Sequence, residues 1–226
     1  MKTLYLYIIH GWTYTVEPWT KTIEILRDKY QIEVKMLHVP GLTEQSQKVW
    51  TINDYVRWAK RELPDDAVVL GHSNGGRILM NLTIKYPKKL QHLILLDSAG
   101  IYEKSLKRDI LRGLSKVFGV FKHVPILRKI FHKLVGASDY AHAPENMKKT
   151  LANMHESDKN LDSSRIKVKT SILWGENDQI TPLRQGKKLH ELIPGSTFYS
   201  SDKWRHAPYI DDPKGLAKAI NEVLDK

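Results

Sequence analysis

The chain has 226 residues, 41% hydrophobic and 27% charged, and its 36 Lys and Arg against 25 Asp and Glu give a formal net charge of +11. One domain of this length buries a single large core, and the supply of Leu, Ile, Val and aromatic residues excludes a disordered or collagen-like chain. The absence of cysteine excludes disulfides, thiolate nucleophiles, iron–sulfur clusters and cysteine-type zinc sites.

Taken in order, Thr3 to Ile9 reads as a strand, short and apolar and closed by His10-Gly11. Glu17 to Tyr30 carries helical spacing through Ile23, Leu26 and Tyr30, and Ile32 to His38 is a second strand. The alternation continues with a helix at Ile52 to Leu63, a strand at Ala67 to Gly71, a helix at Gly75 to Tyr86 and a strand at Leu90 to Leu96. After a long interruption it resumes with strands at Thr170 to Trp174 and Thr197 to Ser200, and helices at Leu183 to Leu192 and Pro213 to Leu224. Strands that are apolar on both faces and separated by helices predict an α/β fold, with a mostly parallel sheet of about six strands flanked by helices and right-handed crossovers.

Residues 101–160 hold no predicted strand and read as a helical insertion into a core made of residues 1–100 and 161–226. Apolar residues recur there at helical spacing, with a division near Pro125 and a looser helical piece around Glu145 to His155. Between Ile101 and Val135 nine basic residues stand against two acidic ones, so most of the net charge is concentrated there. Such a face suits a membrane surface or an anionic ligand, or serves only to keep the protein soluble. No signal peptide is evident and no run is long enough to cross a membrane, so a cytoplasmic location is expected. No nucleic-acid motif accompanies the charge, and no nucleic-acid partner is expected.

The strongest local signal is Gly71-His72-Ser73-Asn74-Gly75, a G-x-S-x-G between a predicted strand and a predicted helix. In that setting the serine sits on a sharp turn with its hydroxyl exposed, and the glycines let backbones approach closely. A serine hydroxyl is a weak nucleophile and needs a histidine base oriented by a carboxylate. Asp178, in Gly175-Glu176-Asn177-Asp178, and His206, in Trp204-Arg205-His206-Ala207-Pro208, follow the serine in the required order, each after a predicted strand. Asp97, at the end of Leu93 to Leu96, is an alternative acid, and Glu176 reads as a solvated loop charge.

These motifs together resemble the α/β-hydrolase fold superfamily of esterases, lipases, C–C bond hydrolases and acyl-transfer enzymes, over nearly the whole chain. The resemblance implies that Ser73 attacks, His206 transfers protons and Asp178 orients His206, with the backbone N–H groups of Trp12 and Asn74 forming an oxyanion hole. It gives His10, Gly11, Gly71 and Gly75 supporting roles, and His72 reads as a packing neighbour of the turn. It places a cap over the serine, where Tyr102, Phe118, Phe121 and Phe131 are candidates to line the pocket. Arg205 stands where relatives often have glycine and is expected to face solvent.

The expected activity is hydrolysis of a small or medium acyl ester through an acyl-enzyme, with no cofactor and no metal. The same three side chains also serve C–C bond hydrolysis, amide hydrolysis and acyl transfer, and the fold also serves as a non-catalytic receptor with a basic lipid- or anion-binding cap. The expected partner is a small acyl substrate; the sequence does not fix the oligomeric state.

Overall fold

The computed structural model describes residues 4–102 and 143–225. The basic segment and the pocket candidates Phe118, Phe121 and Phe131 lie outside the described residues. Six strands, β1 (Leu4–Ile9), β2 (Ile32–Leu37), β3 (Ala67–His72), β4 (Leu90–Leu96), β5 (Lys169–Gly175) and β6 (Thr197–Ser201), form one sheet in the order β2-β1-β3-β4-β5-β6. All five pairings are parallel.

The helices are α1 (Thr20–Tyr30), α2 (Ile52–Glu62), α3 (Asn74–Lys85), α4 (Glu145–Ser157), α5 (Leu183–Leu192), α6 (Pro208–Asp211) and α7 (Pro213–Leu224). Their ends follow local chemistry. Thr51 caps α2: its hydroxyl accepts from the Asp54 N–H, while the Asp54 carboxylate accepts from the Thr51 N–H. Asp212 caps α7 by accepting from the Gly215 N–H, with Pro213 in the first turn where its missing N–H costs nothing. The predicted Glu17 to Tyr30 helix divides into a 3₁₀ turn at Glu17–Trp19, which contains Pro18, followed by α1. The short α6 escapes sequence reading because four residues carry no period.

The sheet separates two apolar layers. Trp19, Leu26, Trp204, Leu216 and Ile220 cover one face together with Leu6, Ile8, Leu70, Ile94 and Leu96. Tyr55, Trp58, Ile78, Leu79, Met147, Met154 and Leu189 cover the other together with Ile9, Val69, Leu93, Leu95 and Ile172. Every residue of β3 is buried, as expected for a central strand covered on both sides.

The strand order reverses between β1 and β3, whose carboxyl ends are level because Ile9 pairs with Gly71. A crevice opens at such a switch point, outside the strand ends. His10-Gly11 and His72-Ser73 leave the sheet side by side there, and β5 and β6 deliver the loops carrying Asp178 and His206 to the same edge.

Candidate active site

β3 runs one residue further than its apolar pattern suggests, through His72, and α3 begins at Asn74. Ser73 is therefore the single residue between strand and helix, and it takes φ 50° and ψ −116°. A left-handed φ on a non-glycine residue costs about 1–3 kcal/mol and persists only where the surroundings enforce it. Here the Ser73 N–H donates to the Leu96 carbonyl at 3.0 Å, and its own carbonyl accepts from the N–H groups of Gly76, Arg77 and Ala99 at 3.1, 3.3 and 3.0 Å. The glycines permit the turn by close approach: a Cβ on Gly71 would lie 2.6 Å from the Gly76 Cα, and one on Gly75 would lie 2.0 Å from the Ile9 carbonyl oxygen.

The three sequence-predicted side chains meet. His206 Nε2 lies 3.0 Å from Ser73 Oγ, and His206 Nδ1 lies 2.7 Å from Asp178 Oδ2. Asp178 is itself fixed: its Oδ1 accepts from the N–H groups of Ile180 at 2.7 Å and Thr181 at 3.0 Å, and its Oδ2 accepts from the Thr181 hydroxyl at 2.6 Å. Burial alone would raise the Asp178 pKa, but the hydrogen bonds from His206, Thr181 and Ile180 outweigh it and hold the carboxyl below its ordinary value. This chain of contacts can hold the imidazole with its Nδ1 proton toward the carboxylate and its Nε2 lone pair toward the serine hydroxyl.

Asp97 is fully buried and serves differently. Its Oδ1 accepts from the Gly175 N–H at 2.7 Å, and its main-chain carbonyl lies 3.1 Å from the Thr181 Oγ1 whose proton points to Asp178, so it braces the loop that carries Asp178. Its Oδ2 has no partner among the described residues. Burial, with the neighbouring Asp178 adding to it, pushes the Asp97 carboxyl well above its ordinary value despite the Gly175 N–H.

Among the described residues, the backbone N–H groups of Trp12 and Asn74 donate to no loop or turn carbonyl around the serine. His10, fully buried, supports that end of β1: its Nδ1–H donates to the Gly11 carbonyl at 2.8 Å, and its Nε2 accepts from the Thr43 hydroxyl at 2.7 Å. Burial keeps it neutral, with its pKa lowered to about 4. Gly11 packs on the elbow, since a Cβ there would lie 3.0 Å from the Ser73 Cβ. Glu176 is exposed and accepts from the Ser200 hydroxyl at 2.7 Å. Arg205 is also exposed and pairs with Asp211.

A cavity of about 300 Å³ opens over Ser73, lined among others by Trp12, Asn74, Arg77, Tyr102, His155, Asp158, Thr181 and Gln185. Of the four pocket candidates, Tyr102 is the described one, and it lines this cavity. Sequence reasoning missed Arg77, Asp158 and Thr181. The Arg77 guanidinium forks onto Asp158 at 2.7 and 2.8 Å and donates to Asn74 Oδ1 at 2.7 Å, with both charged residues buried. This pair ties the end of α4 to the first turn of α3 across 81 residues, and no local pattern announces it. Thr181 had a signal: a hydroxyl three residues after the acid can close back onto the carboxylate.

No group of His, Asp and Glu that could hold a metal ion occurs among the described residues, and no helix there is long and apolar enough to cross a membrane.

The sequence model of the alpha/beta hydrolase fold matches residues 5–158. An uncharacterised hydrolase, YugF, of Bacillus subtilis strain 168 is 25% identical over 247 aligned positions, covering 97% of this chain and 89% of that protein. Among solved structures, a lipase-esterase related protein from Clostridium acetobutylicum superposes with a TM-score of 0.73 at 13% identity, covering 98% of this chain and 95% of the other. The enol-lactonase from Burkholderia xenovorans LB400 superposes with a TM-score of 0.71 at 14% identity, covering 100% of this chain and 93% of the other.

Proposed function

The chain belongs to the α/β-hydrolase fold family and is a hydrolase of that kind, and from that premise we propose that it is a serine hydrolase cleaving a small or medium acyl ester. The observation that carries this reading is the contact chain from Ser73 Oγ through His206 to Asp178, at 3.0 and 2.7 Å, ending on a serine held at positive φ. In the proposed reaction His206 Nε2 takes the hydroxyl proton as Ser73 Oγ attacks the ester carbonyl. Asp178 holds the imidazolium that results. The backbone N–H groups of Trp12 and Asn74 donate to the oxyanion, and α3 starts at that point with its positive dipole end toward the developing charge. His206 then returns the proton to the leaving alkoxide. The same histidine next activates water, which releases the acid and restores Ser73.

The cavity supports the size of the substrate. About 300 Å³ is the lower end of small-ligand sites, and its described lining mixes polar Arg77, Asp158, Tyr102 and Gln185 with apolar Trp12, Ile101, Leu151 and Ile180. Short acyl groups fit such a site better than long lipid chains. Treatment with a fluorophosphonate beside a Ser73→Ala control tests the nucleophile, and p-nitrophenyl esters of increasing chain length test the pocket. The reading predicts labelling that depends on Ser73 and kcat/KM that falls as the acyl chain outgrows the cavity. Rising kcat/KM out to long chains would overturn the size assignment.

A further inference from the structure

His72, the residue before the serine, makes a polar contact that packing alone does not require. Its Nε2 lies 2.7 Å from the main-chain carbonyl oxygen of His206. A carbonyl has no proton to give, so Nε2 must carry the hydrogen and Nδ1 must be bare. The surroundings agree with that tautomer. Nδ1 is buried without a partner, and Gly11 leaves it room, since a Cβ at position 11 would lie 2.8 Å away. The ring is confined by Trp19 at 6.0 Å and Tyr209 at 5.2 Å, both edge-on, and those two rings stack on each other at 4.1 Å. Burial, with the nearby His206 ring adding to it, lowers the His72 pKa to about 3, so the ring is neutral at neutral pH.

We infer that His72 is a positioning residue for the proposed hydrolysis: its neutral Nε2–H fixes the main chain of His206 and so registers the base loop against the serine turn. His206 is then held at both ring nitrogens, by Asp178 and Ser73, and at its own carbonyl, by the residue covalently joined to Ser73. One peptide bond and one partly buried hydrogen bond connect nucleophile to base. Loosening that link lets the base loop shift without touching any group that contacts substrate, and a misplacement of about 1 Å costs about 10²-fold in rate.

The inference rests on the serine-hydrolase reading, and isosteric logic separates the two. In glutamine the side-chain nitrogen lies the same number of bonds from Cβ as imidazole Nε2; in asparagine it lies as near as Nδ1. His72→Gln therefore keeps a donor at the His206 carbonyl, whereas His72→Asn keeps the polarity and loses the contact. The experiment measures kcat and KM on p-nitrophenyl acetate and the rate of fluorophosphonate labelling at Ser73, with unfolding curves for each variant. The expected result is a loss of about 10²-fold in kcat and in labelling rate for His72→Asn, KM within about threefold, and recovery to within about tenfold of the original protein in His72→Gln. A folded His72→Asn that labels at the original rate overturns the inference, as does a folded His72→Gln no faster than His72→Asn; if the asparagine variant does not fold, loss of kcat in a folded His72→Gln does the same. Failure of the unsubstituted protein to label at Ser73 overturns both this inference and the serine-hydrolase reading, whereas normal labelling in all three proteins overturns this inference alone.

Discussion

Replacing Asp178 by asparagine removes one charge and almost no volume, and the hydrogen bonds around it determine the outcome. Oδ1 must remain an oxygen, because it accepts from the N–H groups of Ile180 and Thr181 at 2.7 and 3.0 Å. The new amide nitrogen is thereby directed at His206 Nδ1, which now faces 2.7 Å from Asp178 Oδ2. A donor there forces Nδ1 to be the bare nitrogen and moves the ring proton to Nε2, so that Nε2 faces Ser73 Oγ, 3.0 Å away, with no lone pair to accept the hydroxyl proton. Tautomer inversion of this kind lowers kcat by about 10⁴, or about 5 kcal/mol of transition-state stabilisation. Asp97→Asn is the matched control. Burial raises the Asp97 pKa above its ordinary value, and an amide there still offers an oxygen to the Gly175 N–H while adding no buried charge. Its kcat should stay within about tenfold of the original. The sign of the stability effect also follows. A carboxyl whose folded pKa is raised contributes fully below its unfolded value of about 4 and loses that contribution as pH rises through the folded pKa. Asp97→Asn should therefore gain stability relative to the parent between pH 4.5 and pH 8, read from urea midpoints at about those two values. Steady-state kinetics on p-nitrophenyl acetate give the rates. Retained activity in Asp178→Asn together with collapse in Asp97→Asn would refute the reasoning and transfer the acid role to Asp97.

Other expectations concern the scaffold. Asp158→Asn leaves the buried Arg77 guanidinium without its charge partner and should cost about 3–5 kcal/mol in urea unfolding; replacing both residues by apolar ones of similar size should recover most of it, and an unchanged midpoint in the single variant would contradict a buried pair. Gly11→Ala places a Cβ 2.8 Å from His72 Nδ1 and 3.0 Å from the Ser73 Cβ, and should reduce fluorophosphonate labelling at least about tenfold while leaving circular dichroism unchanged. Burial lowers the pKa values of His10, His72 and His92 to about 4, 3 and 4. The folded protein therefore binds fewer protons than the unfolded chain below about pH 6.5, and the contribution of these residues is full above that pH and lost as pH falls through the folded values. The urea midpoint should drop steeply from pH 6.5 to 4, and a flat profile across that window would show that these rings are not held neutral.

The fold was legible because its signal is local. Apolar runs such as Leu93 to Leu96 and Ile172 to Trp174 sit in strands buried on both faces, and the strand–turn–helix setting of Ser73 survives in a single sequence. The candidate site was legible for a similar reason: Ser73, Asp178 and His206 each end or follow a strand, so a parallel sheet brings them to one edge. What escaped reading depends on distance along the chain. Arg77 meets Asp158 across 81 residues, and His72 meets the His206 carbonyl across 134. Side-chain type alone names no partner at such separations. His72 read as a packing neighbour from its place beside Ser73, whereas its polar contact is to a main-chain atom that no sequence displays. His155 carried no motif either, yet it lines the cavity over Ser73 from α4, whose Met147 and Met154 pack into the apolar layer shared with α2.

The measurement closest to the central claim is the mass of the peptide spanning Ser73 after exposure of the folded protein to a fluorophosphonate. One adduct per chain is expected, located on Ser73, absent from Ser73→Ala and slowed in Asp178→Asn. Folded protein that takes no adduct, or takes it equally in Ser73→Ala, would contradict it.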